Sequence, residues 1–140
     1  MSGLQLDFSN LKLALDSLKV AIDKYLEDTQ NEFVRDSVIQ RFEYSYELSW
    51  KMLKRQLEQD AASPESIDQL SYKDLIRHGA EKGFITDPQA WFVFRQFRNM
   101  TSHTYNVSKA IEVARASIDF HGAAEELYQR LIASNDSSET

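Results

Sequence analysis

Apolar residues recur along this chain at steps of three and four, the interval that lines one face of an α-helix rather than alternate faces of a strand. From about Asp7 to Glu27 the line is Leu11, Leu15, Leu18, Ile22, Tyr25 and Leu26, behind a cap at Asp7 or Ser9. The polar stretch Asp28 to Asn31 breaks it. A longer stripe then runs to about Gln59 through Ile39, Phe42, Tyr46, Trp50, Leu53 and Leu57. Beside it lie Val38, Ser45, Ser49 and Met52, where small serines let a neighbouring helix approach closely. This second helix is expected to be central.

Residues 60–70 interrupt the periodicity with Ala61, Ala62, Ser63 and Pro64. Ser71, followed three positions later by Asp74, then resembles a capping box and predicts a short helix to about Lys82. Gly83 supplies its stop. Asp87-Pro88 reads as an N-cap followed by proline at the first helical position, where a missing N–H costs nothing. The helix so begun carries Ala90, Trp91, Val93, Phe94 and Phe97 and should end near Thr101 to Tyr105. Ser108 is read as the cap of a last helix whose inward line is Val113, Ser117, Phe120, Ala124, Leu127 and Leu131. The predicted fold is all-α, an up-and-down four-helix bundle with one additional short helix. Ser134 to Thr140, rich in serine and acids, reads as a disordered polar tail.

Length and composition narrow the functional classes. The chain has 140 residues, 42% of them hydrophobic, enough for one domain and a substantial core but cramped for two. A formal net charge of −6 argues against a broad electrostatic footprint for nucleic acid and confines any RNA contact to a local patch. With no cysteine, there is no disulfide framework, thiolate metal site or cysteine nucleophile. The lack of cysteine fits a cytoplasmic protein, and because no segment approaches the ~20 consecutive apolar residues of a membrane span, a soluble chain without membrane association is expected.

Chemistry concentrates between Arg98 and Tyr105, which reads RNMTSHTY. Arginine holds a phosphate through forked donors, and histidine moves its proton near neutral pH. Arg98 continues the stripe of Trp91 and Phe94, where a guanidinium must be paired, emerge at the bundle's end, or face a cleft. His103, five residues on, diverges from it by about 140° on a straight helix, so the two converge only if the helix ends between them. Asn99, Thr101 and Ser102 bond readily to local backbone and favour such an end. The residues alone leave two readings: a helix C-terminus capped by basic side chains, or a phosphoryl site.

The spacing Arg98, four residues, His103, one residue, Tyr105 is similar to the R-x4-H-x-Y signature of the HEPN superfamily, in its HepT-like branch. The stretch FVRDSVIQRFEYSYELSWKMLKR, Phe33 to Arg55, resembles the second helix of the nucleotidyltransferase substrate-binding proteins. The resemblance implies a single HEPN-like bundle over residues 1–133. It also implies a homodimer or higher oligomer that partners a small nucleotidyltransferase encoded nearby, in a system of the toxin–antitoxin kind, with RNA or a nucleotide as a possible ligand at the dimer cleft. By analogy with ribonuclease members, Arg98 would hold the scissile phosphate and His103 act as acid or base, Asn99 and Ser102 supporting them. Tyr105 would accept a nucleotidyl group from the partner. The two implied functions are a partner subunit of the transferase and a metal-independent endoribonuclease toxin under the transferase's control. No cofactor is expected.

Outside the cluster, Glu43 and Glu47 stand one turn apart, a spacing found in carboxylate metal sites. The Glu-x-x-His companions are missing, so no metal is expected and Lys51 is available to pair with Glu47. His78 and His121 read as structural. Trp50 and Trp91 read as core, or as the lining of a groove if the bundle is splayed. Arg41, Lys54 and Arg55 give the second helix some positive charge, read as a solvated face that could also supplement a phosphate site. No glycine-rich phosphate loop or serine nucleophile motif appears, so the chain is not itself read as the nucleotidyltransferase.

Overall fold

The computed structural model describes residues 6–137. Their regular elements are six α-helices and one 3₁₀ turn, without a strand among the described residues. The helices are α1 (Ser9–Glu27), α2 (Glu32–Asp60), α3 (Pro64–Asp68), α4 (Tyr72–Glu81), α5 (Pro88–Met100) and α6 (Val107–Ser137), with the 3₁₀ turn at Thr101–His103. None of these helices is long and apolar enough to cross a membrane.

Cross-helix contacts give the directions. Going up α1, Ala14 and Ser17 meet Ser45 and then Arg41 of α2, so α1 and α2 are antiparallel. Phe42 of α2 meets Phe120 of α6, and Gln56 meets Asn135, so these two run parallel. Glu47 and Glu43 meet Arg98 and Thr101 respectively, which sets α5 antiparallel to α2. Four helices therefore alternate up and down, with α3 and α4 inserted between α2 and α5. As its stripe foretold, α2 is central and touches every other helix.

The core follows the apolar lines. Leu11, Leu15, Leu18, Ile22 and Tyr25 of α1 are buried, as are Val38, Ile39, Phe42, Tyr46, Met52, Leu53 and Leu57 of α2. The inward line of α6, from Val113 to Leu131, is fully enclosed. The serines of α2 serve close approach: Ser45 Oγ donates to the Ala14 carbonyl of α1 at 3.2 Å, and Ser49 Oγ to the Ser45 carbonyl at 2.7 Å. Two positions depart from the stripes. Leu26 is 56% exposed in the last turn of α1, next to the buried Tyr25, and Val93 points outward beside the buried Trp91 and Phe94.

Helix ends are set by local chemistry. Asn31 caps α2 through Oδ1, which accepts from the amides of Phe33 and Val34, and Ser71 caps α4 by accepting from Asp74. Asp87 caps α5 at Ala90. The cap of α6 is Asn106, whose Oδ1 accepts from the Lys109 amide, and not Ser108, which lies inside the first turn. Helix α3 breaks the interval expected to be irregular, because Pro64 starts a turn that buries Ile67. At its far end α6 continues past Ala133 through Ser137, where the sequence pattern places a disordered tail. There Asn135 donates to Gln56 at 2.7 Å and to the Leu131 carbonyl at 2.8 Å, a buried polar link between the ends of α2 and α6. Residues 138–140 of that tail lie outside the described residues.

Helix α4 closes in a Schellman motif: Phe84 N–H donates to the Gly79 carbonyl and Gly83 N–H to that of Ala80, with Gly83 at φ +87°. A Cβ on Gly83 meets nothing within 4 Å, so an alanine there costs backbone strain alone. Gly83→Ala should lower stability by about 1–2 kcal/mol. A urea midpoint that does not move would show that the turn tolerates another backbone conformation.

Candidate functional site

The end of α5 carries the R-x4-H-x-Y residues, and two glutamates of α2 hold it. Arg98 Nε donates to Glu47 Oε1 at 3.2 Å, the ion pair being about one-third exposed on both sides. One turn further along each helix, Thr101 Oγ1 donates to Glu43 Oε2 at 2.5 Å. Thr101 Oγ1 also lies 2.8 Å from the Arg98 carbonyl, which accepts the Thr101 backbone N–H as the helix closes. The sequence requirement that Arg98 be paired, emerge or face a cleft is met by pairing at a half-buried site. Glu43 and Glu47, one turn apart, are the acceptors of this clamp, Glu47 for the Arg98 guanidinium and Glu43 for the Thr101 hydroxyl, and Lys51 adds a 3.8 Å contact to Glu47. Among the described residues no group of three or more His, Asp or Glu is placed to hold a metal ion.

The helix does end between Arg98 and His103. After Met100 the chain tightens into the 3₁₀ turn, and Thr104 Oγ1 donates to the Thr101 carbonyl at 3.1 Å. Of Asn99, Thr101 and Ser102, Thr101 makes the local bond expected of it and Thr104 adds another, while the exposed side chains of Asn99 and Ser102 make no hydrogen bond among the described residues. His103 and Tyr105 project from the turn. Tyr105 is 85% exposed, and its ring meets that of His103 edge-on with centroids 6.2 Å apart. No hydrogen bond joins Arg98 to His103 among the described residues. A shallow recess beside Tyr105 is lined by Asp36, Gln40 and Glu43 of α2 and by Thr104.

On the other side of Arg98 a groove of ≈ 330 Å³ opens between α2, α4 and α5, lined by Trp50, Lys54, Tyr72, Arg95, Arg98 and Asn99 among others. Trp50, half-buried, is its wall, while Trp91 is core. Burial pushes the Tyr46 hydroxyl far above the phenolic range and that of Tyr72 up to about 12, so both stay neutral at pH 7. Tyr72 donates to the Trp91 carbonyl at 3.3 Å. The groove was visible in the sequence only as the splayed-bundle alternative for Trp50. The role of Arg95 went unseen, because an exposed arginine carries no periodic signal.

The remaining histidines lie away from this cluster. His121 Nε2 lies 3.1 Å from the Leu15 carbonyl and ties α6 to α1, and His78 contacts Glu81 at 3.4 Å across one turn. Arg41, a candidate phosphate ligand, spends its guanidinium on the Ser17 carbonyl at 2.7 Å.

Comparison with known proteins converges on one group. A family model described as nucleotidyltransferase substrate binding protein like matches residues 6–133. A Haemophilus influenzae protein named "Probable ribonuclease HepT" is 39% identical over 124 residues, covering 83% of this chain and 85% of the relative. Among solved structures, HI0074 of Haemophilus influenzae, described as the fold of a substrate-binding domain of a nucleotidyltransferase, superposes with a TM-score of 0.84. It is 34% identical and covers 89% of this chain and 98% of its own. A Thermus thermophilus protein superposes at 0.74 with 32% identity, covering 86% of this chain and 98% of its own.

Proposed function

This chain belongs to the nucleotidyltransferase substrate-binding protein family, and from that membership we propose that it is an endoribonuclease subunit held in check by a small nucleotidyltransferase. The observation that carries the reading is the geometry of the α5 end. Arg98 is fixed by Glu47 while His103 and Tyr105 stand exposed on the turn beyond it, an acid–base side chain and a hydroxyl with no hydrogen-bond partner among the described residues. Two copies facing each other through this surface bring a second arginine and histidine to the same phosphate. The likeness to a protein named as a ribonuclease supports the activity, and the family description supports the transferase as partner.

In the proposed reaction His103 takes the proton of the ribose 2′-hydroxyl, whose oxygen bonds to phosphorus as the bond to the 5′-oxygen breaks. The facing copy's histidine returns a proton to that leaving oxygen, and the product ends in a 2′,3′-cyclic phosphate. Arg98 offsets the charge that builds on the phosphorane oxygens. Only side chains take part. The purified, unmodified chain incubated with RNA in EDTA should therefore produce cyclic-phosphate ends, and intact RNA under those conditions would leave a transferase-binding subunit without nuclease activity.

Tyr105 is the proposed switch. Its hydroxyl is the most accessible phenol of the cluster, and a nucleotidyl group on it places a bulky anion beside His103. Mass analysis after incubation with the neighbouring transferase and ATP should find the adduct on Tyr105 and none on Tyr105→Phe, with RNA cleavage lost in step with modification. An adduct that persists in Tyr105→Phe overturns the assignment.

A further inference from the structure

The groove on the far side of Arg98 is built from parts that the proposed cleavage step does not use. Trp50 and Tyr72 meet edge-on at 84° with centroids 6.2 Å apart, forming an aromatic corner. Over the Tyr72 ring, 4.5 Å from its centroid, lies the guanidinium of Arg95. Among the described residues Arg95 forms no ion pair and donates no hydrogen bond, in contrast to its neighbours. Arg98 is taken by Glu47, and Lys54 by Asp68 at 2.8 Å. Three cations and one carboxylate line the groove, in a chain whose net charge is −6.

A guanidinium stacked on a ring keeps its edge donors free for a forked contact with phosphate, and an aromatic corner beside it offers the face of a base a place to pack. The volume, ≈ 330 Å³, sits at the small end of ligand pockets, room for one nucleotide unit rather than a duplex. Arg98 and Asn99 line the same groove, so its occupant is continuous with the residues assigned to cleavage.

We propose that this groove is a subsite for one nucleotide of single-stranded RNA, its base packed in the Trp50–Tyr72 corner and its phosphate on Arg95, flanking the bond cut at Arg98 and His103. The inference rests on the ribonuclease reading for its substrate class, but its chemistry is separate. Stacking makes the subsite tolerant of sequence, while the corner selects against a backbone that lacks bases.

The test is equilibrium binding in the His103→Ala background, where turnover does not interfere, read by quenching of tryptophan fluorescence. Trp91 is enclosed, so the signal reports Trp50. An adenosine tetranucleotide should quench. Adding Arg95→Ala should weaken it about tenfold, a loss of ~1.4 kcal/mol, and an abasic tetramer of the same charge should bind at least as poorly. Arg95 is exposed, so the fold should survive its replacement, with circular dichroism as the check. Affinity within twofold of the parent in Arg95→Ala, or equal binding of the abasic tetramer, overturns the subsite. The two readings fail separately. A chain that binds the tetranucleotide through Arg95 yet leaves RNA intact keeps the groove and loses the ribonuclease. A chain that cuts RNA with an unchanged KM in Arg95→Ala keeps the ribonuclease and loses the groove.

Discussion

His103→Ala should lower RNA cleavage by roughly a hundred- to ten-thousandfold, the contribution expected of a positioned acid–base group. Stability should stay within about 0.5 kcal/mol, because the side chain is exposed and its ring partner among the described residues is the exposed Tyr105. The pairing of a large kinetic loss with an unmoved urea midpoint is what distinguishes chemistry from a helix cap. If His103 merely ended α5, its removal would cost stability and spare whatever cleavage the chain has. Retention of a tenth or more of the parent rate, measured as cyclic-phosphate ends formed in EDTA, would falsify its role as general base. The proposed reaction uses a histidine from each copy, so parent chain mixed with excess His103→Ala chain is informative. Mixed dimers keep one histidine: a parent chain that loses its rate on entering them shows that both copies serve one site, and one that keeps its rate shows that a single copy suffices.

The clamp explains why the cluster was only half legible in the sequence. The apolar steps of α1, α2 and α6 are local, and they placed Leu15, Phe42 and Leu131 in the core without reference to any other segment. Asp87-Pro88 and Gly83 were equally clear, since a cap, a proline at the first helical position and a left-handed glycine act within a few residues. The partners of Arg98 and Thr101 are different in kind. Glu47 and Glu43 lie 51 and 58 positions away, and only the antiparallel packing of α5 on α2 brings them in. Sequence showed that Arg98 needed a counter-charge and that two glutamates shared one face of α2. The fact that each answers the other is a property of the fold.

The same distinction separates the small misplacements. Ser108 and Asn106 are both good caps on composition, and the choice fell to Asn106 because the 3₁₀ turn delivers the chain to α6 two residues earlier. The tail beyond Ala133 looks too polar to fold, yet Asn135 is drawn into helix by Gln56, a buried amide on another helix that no window of sequence around Ser134 contains.

The largest stability effect is expected at Phe120, and it reaches the site. This α6 ring is fully enclosed and touches Phe42 at 5.2 Å, Tyr46 at 6.1 Å, Trp91 at 5.7 Å and Phe94 at 5.4 Å between centroids, three of these contacts edge-on. It is therefore the wedge between α2 and α5, the two helices whose spacing sets the Arg98–Glu47 and Thr101–Glu43 bonds. Phe120→Ala should cost about 3–5 kcal/mol, the usual loss for a buried aromatic that leaves a cavity behind. That is a large part of the ~5–15 kcal/mol available to a domain of this kind. Phe120→Leu, which keeps more of the volume, should fold in the event that alanine does not, and should lose distinctly less. Because the cavity opens between α2 and α5, both variants should release the α5 end before the rest of the bundle, seen as faster amide exchange from Arg98 to His103 than in α1. Urea midpoints within about 1 kcal/mol of the parent for Phe120→Ala, or exchange that rises uniformly, would show that the clamp stands without its wedge.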